Sequence, residues 1–177
     1  MNKTALITGA SSGIGKEFAK IHAKTGGNLV IVARSKDKLL ALKEALEKEY
    51  KIHVSVIEKD LTEKDAAKEV FNFVKYSKIE IDYLINNAGF GGIGKFHERK
   101  LEEDLNMIQL NVVALTALTR LFLPTFVEKN SGKILNVSST ASLMAGPMQA
   151  VYFATKAYVT SFSNAIAEEL SETNVTV

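Results

Sequence analysis

A tyrosine and a lysine four residues apart, Tyr152 and Lys156, share one face of a helix, and Ser139 lies thirteen residues before the tyrosine. A free phenol titrates at about 10, too high to carry protons efficiently at neutral pH. A nearby ammonium, or another positive charge, would stabilise the phenolate and lower that value. The Ser139 hydroxyl could then orient a carbonyl oxygen toward the phenol. Each element has a plainer reading: such pairs also arise on ordinary helices, and Ser138 and Ser139 at a strand exit could serve only a turn.

The N-terminal segment offers a place for a redox partner. Thr8-Gly9-Ala10-Ser11-Ser12-Gly13-Ile14-Gly15 follows the first apolar run. Pyrophosphate must approach such a turn closely, which side chains would block, and a helix starting near Gly13 would supply free N–H groups and a partial positive charge. The spacing is Gly-x-x-x-Gly-x-Gly, not the commoner Gly-x-Gly-x-x-Gly, and a purely structural turn is the competing reading. The second apolar run ends at Ala33-Arg34-Ser35. A carboxylate there would bind a ribose 2′-hydroxyl. A guanidinium matches a 2′-phosphate instead, which favours NADP(H) over NAD(H). Taken alone, Arg34 reads equally as a solvated surface charge, and Ser12 stands where a second basic residue would strengthen the preference. Together the two halves suggest hydride transfer between a nicotinamide and a carbonyl.

Residues so far apart need a scaffold that gathers them. Thr4–Thr8, Leu29–Ala33, Val54–Ile57, Tyr83–Ile85 and Ile134–Val137 are short runs rich in Ile, Val and Leu, suited to strands buried on both faces of a parallel sheet. Amphipathic segments lie between and after them: Gly15–Thr25, Lys36–Tyr50, Glu63–Tyr76, Leu101–Lys129 and Val151–Glu172. Leu39, Leu42, Ala45 and Leu46 fall on one face of the second. Thr62 reads as the N-cap of the third, with Glu63 and Asp65 in its first turn. This alternation predicts right-handed βαβ units in one α/β domain, residues 1–177, with a doubly wound parallel sheet in three layers. A flavodoxin-type domain without catalysis has the same pattern.

At 177 residues the chain can bury a real core. A formal charge of +2 without a basic stripe gives no case for nucleic acid or an anionic membrane. With no cysteine, disulfides, thiolate catalysis and cysteine-bound zinc are excluded. The four-residue apolar stretch before the glycine turn is too short for a secretory signal. The apolar stretch near Leu110–Phe126 is interrupted by Asn111, Thr116, Thr119 and Arg120, so no transmembrane segment is expected and a cytoplasmic location is the default. His22, His53 and His97 lie apart with no metal-ligand spacing, and no metal is expected.

Thr8–Gly15, Asn86-Asn87-Ala88-Gly89, Asn111, Ser139 and Tyr152-x-x-x-Lys156 stand in the order and spacing of the short-chain dehydrogenase/reductase family, which the chain resembles from Lys3 to Val177. The resemblance implies a Rossmann core of strand order 3-2-1-4-5-6-7 and a tetrad of Asn111, Ser139, Tyr152 and Lys156. It makes Tyr152 the general acid or base. Lys156 would bind the nicotinamide ribose and lower the tyrosine pKa, Ser139 would hold the substrate oxygen, and Asn111 would support a water linking Lys156 to solvent. Cofactor contacts are implied for Gly9, Ser11, Ser12, Gly13, Ile14, Gly15 and Arg34. Asp60 and Leu61 would lie beside the adenine, and Asn87, Ala88 and Gly89 along the cofactor. Read without the family, Asp60 could simply cap the following turn, and Asn86–Gly89 could simply end a strand. Phe90-Gly91-Gly92-Ile93-Gly94 borders a substrate pocket or forms only a mobile loop. The implied substrate is a small-molecule carbonyl or alcohol. The implied assembly is a homodimer or homotetramer through the helices Leu101–Lys129 and Val151–Glu172.

Asn174-Val175-Thr176-Val177 reads as the opening of a sixth strand, where the family continues with a Pro-Gly turn, a substrate-covering segment and a seventh strand. Three explanations compete, a fragment of a longer product, a natural short form and a chain completed by a partner; a fragment is expected, with its fifth strand near a poorly covered edge. Two other readings share these residues: a module that holds nucleotide without turnover, and an interaction protein that uses its apolar helices.

Overall fold

The β-prone runs pair as one parallel sheet in the computed structural model, which describes residues 2–177. Strands β1 (Thr4–Thr8), β2 (Asn28–Ala33), β3 (Val54–Glu58), β4 (Tyr83–Asn86), β5 (Gly132–Asn136) and β6 (Val175–Thr176) lie in the order β3-β2-β1-β4-β5-β6. Every residue of β1 is buried, because β2 and β4 flank it and helices cover both its faces. Its alternating side chains feed two cores. Ala5 and Ile7 pack with Leu29, Ile31 and Val54 against Ala19 and Ala23 of α1 (Gly13–Lys24) and Leu39, Leu42 and Leu46 of α2 (Lys36–Tyr50). Leu6 packs with Val30, Val32 and Leu84 against Val70 and Val74 of α3 (Ala66–Tyr76) and Leu118, Phe122 and Phe126 of α5 (Leu115–Glu128). This is the doubly wound, three-layer arrangement that the alternation predicts.

From β1 the chain winds outward through β2 and β3, then returns to build β4, β5 and β6 on the other side. That reversal leaves a crevice at the carboxyl ends of β1 and β4, the place where open α/β sheets hold ligands. Four further elements border it or back it: the 3-10 turns Phe96–Glu98 and Thr140–Leu143, helix α4 (Leu101–Ile108) and helix α6 (Ala150–Glu169).

Several local expectations are corrected. Helix α3 starts at Ala66 rather than Glu63, and Thr62 is not its cap. The Asp60 carboxylate instead accepts hydrogen bonds from both the N–H and the hydroxyl of Thr62, at 2.9 and 2.8 Å, and Asp65 takes a left-handed φ of 63° before the helix begins. The local turn thus wins over the cap. Ala45 is exposed, so the buried stripe of α2 is Leu39, Leu42 and Leu46. Ser139 comes three residues after the last residue of β5, Asn136, rather than directly at the strand end.

The largest departure lies in the long amphipathic segment. Leu101–Glu128 is one 28-residue helical stretch, long and apolar enough by length and composition to cross a membrane, contrary to expectation. Its polar interruptions do not break it: Asn111 and Thr119 are bonded inside the protein, to Phe90 and Thr155 and to Asn86, and Arg120 lies on the exposed face. Met107, Leu118, Phe122 and Phe126 are buried, as in the core helix of a folded domain. Its middle, Gln109–Ala114, is a π turn rather than α-helix.

Strand β6 pairs Val175 and Thr176 with Gly132 and Lys133. Among the described residues, the outer edge of β5 beyond Lys133 has no strand partner, and Leu135 is 43% exposed. The poorly covered edge anticipated from the sequence is present over most of the strand.

Candidate active site

The crevice is a cleft of about 760 Å³ reaching from Arg34 at one end to Tyr152 at the other. Its floor is the glycine turn. Gly9 and Gly13 have φ of 68° and 53°, conformations that side-chain-bearing residues rarely adopt. A Cβ on Gly15 would collide with the Gly9 carbonyl, so Gly15 is required for helix–turn packing rather than for the cleft surface, which it does not line. The first α1 bond runs from Lys16 N–H to Ser12 O at 3.3 Å. The amides of Gly13, Ile14 and Gly15 precede it, so the helix cannot use them. A turn with left-handed glycines, unspent amides and no Cβ above its backbone fits a diphosphate. Ser11, Ser12, Gly13 and Ile14 line the cleft beside Gly9.

Thr8 knits this turn to the neighbouring strand exit. Its buried hydroxyl accepts from the N–H groups of Asn87 and Ala88, both at 3.0 Å, and the Asn87 side-chain amide donates to Thr8 O at 2.9 Å. Asn87, Ala88 and Gly89 thereby form the second wall. The sequence placed Thr8 in the motif but gave it no such role.

At the far end, Arg34 extends from the β2 exit with its guanidinium 3.7 Å from the Asp60 carboxylate. Partial burial pushes the Asp60 carboxyl upward, but the two Thr62 hydrogen bonds and Arg34 outweigh it and hold the group below its ordinary value. Asp60 therefore caps its turn and also faces the cleft, while Leu61 is buried beside it. Lys38 and Lys59 line the same end, a cationic cluster that the sequence analysis missed. Lys59 is held by Glu69 at 2.6 Å and Glu63 at 3.5 Å. Lys38 follows Arg34 closely into α2, whereas Lys59 comes after β3 and only strand pairing brings it beside Arg34.

The opposite end gathers the proton-handling groups. Tyr152 and Lys156 lie one turn apart on α6, with the ammonium 5.9 Å from the phenol ring centroid. Lys156 is buried and donates to Val137 O at 2.7 Å. Burial pushes its pKa below the ordinary lysine value. The adjacent serines part ways. Ser138 turns its hydroxyl back onto α6, 3.1 Å from Lys156 O and 2.7 Å from the Thr160 hydroxyl. The Ser139 oxygen accepts from Ala141 N–H at 3.2 Å, which leaves its proton free for another acceptor. Asn111 is buried in the π turn and does not line the cleft. Its amide binds Phe90 at both N–H and O, at 3.1 and 2.9 Å, and donates to Thr155 at 3.1 Å. No ionisable side chain other than Tyr152 occurs between Lys133 and Lys156. Lys156 is thus the cationic group at the Tyr152 end of the cleft, against Arg34, Lys38, Lys59 and the Asp60 carboxylate at the other.

Strand order and the cleft at the reversal define a Rossmann-fold α/β protein. The profile of the family described as short chain dehydrogenase matches residues 3–177, and the chain belongs to that family. It is 34% identical to the very-long-chain 3-oxoacyl-CoA reductase of Rattus norvegicus, an alignment covering all of this chain and 57% of that protein. It is 35% identical to the NADP-dependent 3-hydroxy acid dehydrogenase of Schizosaccharomyces pombe, covering 99% of this chain and 68% of that one. Among solved structures it superposes on a short-chain dehydrogenase from Sphingobium yanoikuyae in complex with NADPH, with a TM-score of 0.93 and 37% identity over 98% of this chain and 67% of the other. The chain spans little more than half the length of several curated relatives, between 53% and 57%.

Proposed function

We propose that the protein containing this chain is an NADP(H)-dependent oxidoreductase that interconverts a secondary alcohol and a ketone, or a primary alcohol and an aldehyde, with Tyr152 as general acid and base. The observation that carries the reading is the meeting of Tyr152, Lys156 and Ser139 at one end of a cleft whose other end presents Arg34. Bound cofactor supplies a hydride to the carbonyl carbon. Ser139 donates its free hydroxyl proton as a hydrogen bond to the carbonyl oxygen and so fixes its position. Tyr152 releases its phenolic proton to that oxygen as negative charge develops there, and retrieves it in the alcohol-oxidising direction. Lys156, anchored on Val137 O, places a poorly solvated ammonium near the phenol, where it stabilises the charge Tyr152 acquires.

The 2′-phosphate preference rests on Arg34, with Lys38 and Lys59 beside it. The NADPH bound by the Sphingobium relative and the name of the fission-yeast relative lend support. Exposed Ile93 and Phe96 on the segment that follows Gly91, and exposed Leu143, Met144 and Met148 on the segment between Ser139 and Tyr152, favour apolar carbonyl compounds. The test is NADPH oxidation followed by its absorbance against a panel of apolar, polyhydroxylated and anionic ketones, using the protein expressed from its full reading frame. Turnover of the apolar members supports the reading. NADPH binding without oxidation across the panel would leave a nucleotide-holding module.

The same family membership favours a homodimer or homotetramer. Exposed Leu101, Leu105 and Val113 on the long helix, and Tyr158 on α6, supply apolar surface for it. The Tyr158 and Thr116 hydroxyls, 2.9 Å apart, join the two helices into one face. A strictly monomeric protein in sedimentation at high concentration would remove this assembly.

A further inference from the structure

We propose that Arg99 is a positioning residue for Tyr152, acting through the glycine loop Phe90–Gly94. Arg99 is a nearly buried side chain, 13% exposed, and donates to the Asp104 carboxylate at 2.8 Å; Asp104 is itself only 6% exposed. The same guanidinium donates to Ile93 O at 3.1 Å and lies 3.4 Å from Glu103. Its plane rests directly on Gly92: a Cβ there would come within 2.7 Å of Cζ. One residue earlier, Gly91 lies flat on the Tyr152 ring, where a Cβ would stand 3.1 Å from one ring carbon and 3.3 Å from another. The succession is therefore Asp104, Arg99, Gly92, Gly91, phenol.

Three other hydrogen bonds fix the ends of this loop. Asn111 holds Phe90 at both N–H and O, and Gly94 N–H donates to Met148 O at 2.8 Å. Between Arg99, Asp104 and Met107 on one side and Val151 and Tyr152 on the other remains a gap of about 10 Å³, room for at most one water. A loop so rich in glycine has no side-chain packing of its own to hold it against the ring. The guanidinium replaces that packing, with Nε on the carboxylate and Nη1 on the carbonyl. A lysine ammonium lacks this planar fork.

The inference rests on the carbonyl-reduction reading for its kinetic part alone; the placement of the ring is tested separately. Two measurements on Arg99→Ala separate them. The ring resonances of Tyr152 in tyrosine-labelled protein should shift, and the Gly94 amide should exchange faster. In the full reading-frame protein, kcat should fall about tenfold, with KM for NADPH changed less than about twofold. Arg99→Lys should restore neither fully. Should Arg99→Ala unfold by stranding Asp104, Arg99→Ala/Asp104→Ala and Gly91→Ala give the same readouts. Unchanged Tyr152 resonances and Gly94 exchange in a folded variant would overturn the positioning, whatever the turnover. A moved ring with unchanged kcat would overturn its kinetic consequence. Should the parent reduce no carbonyl, the proposed reaction fails while the spectroscopic result still decides the role of Arg99 on the ring.

Discussion

On the proposed reading Tyr152 and Arg34 carry different parts of the chemistry and Asp60 braces the turn beside Arg34, and each can be separated from the others by substitution. Tyr152→Phe removes only the phenolic hydroxyl, so kcat and kcat/KM for the carbonyl should fall together by about 100-fold or more while NADPH affinity holds. Near-normal turnover of this variant would overturn the assignment. Arg34→Ala should weaken NADPH binding about tenfold and leave NADH unchanged, as titration calorimetry with both cofactors would report. Asp60 sets a pH dependence. Its carboxyl is held below the ordinary value in the folded protein, so its contribution to stability is present above the unfolded value and lost as pH falls through the lowered folded one. Thermal melts taken downward from about pH 5 should show a steeper loss for the parent than for Asp60→Asn. Tyr152 is read from a local pattern with Lys156, Arg34 from its place at the β2 exit, and Asp60 beside the adenine only through the family resemblance. Lys59 reaches the Arg34 end from the exit of β3, far away in sequence, while Lys38 and Arg99 lie close to their neighbours but in no spacing that marks a cleft wall or a glycine-loop contact.

Elements position these side chains, and their regular parts were the easiest to read. All five apolar runs form strands; β1 and β2 are covered on both faces and so read as continuous apolar runs, while β5 alternates buried and exposed residues. The irregular parts escaped. A π turn at Gln109–Ala114 has the same apolar composition as the α-helix around it, and only its hydrogen bonds reveal it. Yet Asn111 sits in that turn and reaches Phe90 from it. Asn111→Ala strands both polar groups of Phe90 and should cost about 1–3 kcal/mol in denaturant melts, with kcat lowered as the loop over Tyr152 loosens. The missed α3 start has the opposite cause: Asp60 competes locally for the Thr62 N–H, and that contest is decided by geometry rather than residue type. Gly15→Ala tests the phosphate turn at this scale. The added methyl meets the Gly9 carbonyl, which cannot yield without moving the turn, so NADPH affinity should drop by at least about tenfold.

For the molecule as a whole, the sheet reversal between β1 and β4 matters more than any single contact, since it alone brings α1, the β2 exit and α6 to one cleft. Ligand binding there should stabilise the entire fold: NADP⁺ at about 100 times its dissociation constant should add about 2.7 kcal/mol, with a higher Tm to match. A melt unmoved by saturating NADP⁺ would contradict the cofactor reading.

The unequal distribution of charge along the cleft has a kinetic consequence. On the proposed reading Arg34, Lys38 and Lys59 would meet the cofactor through fields that salt attenuates over about 10 Å at 0.1 M, while the Lys156 ammonium beside the phenol is buried and is screened far less. Raising ionic strength should therefore slow capture of NADPH and leave the committed chemical step at nearly constant speed. In effect, arrival and reaction answer to different solvents.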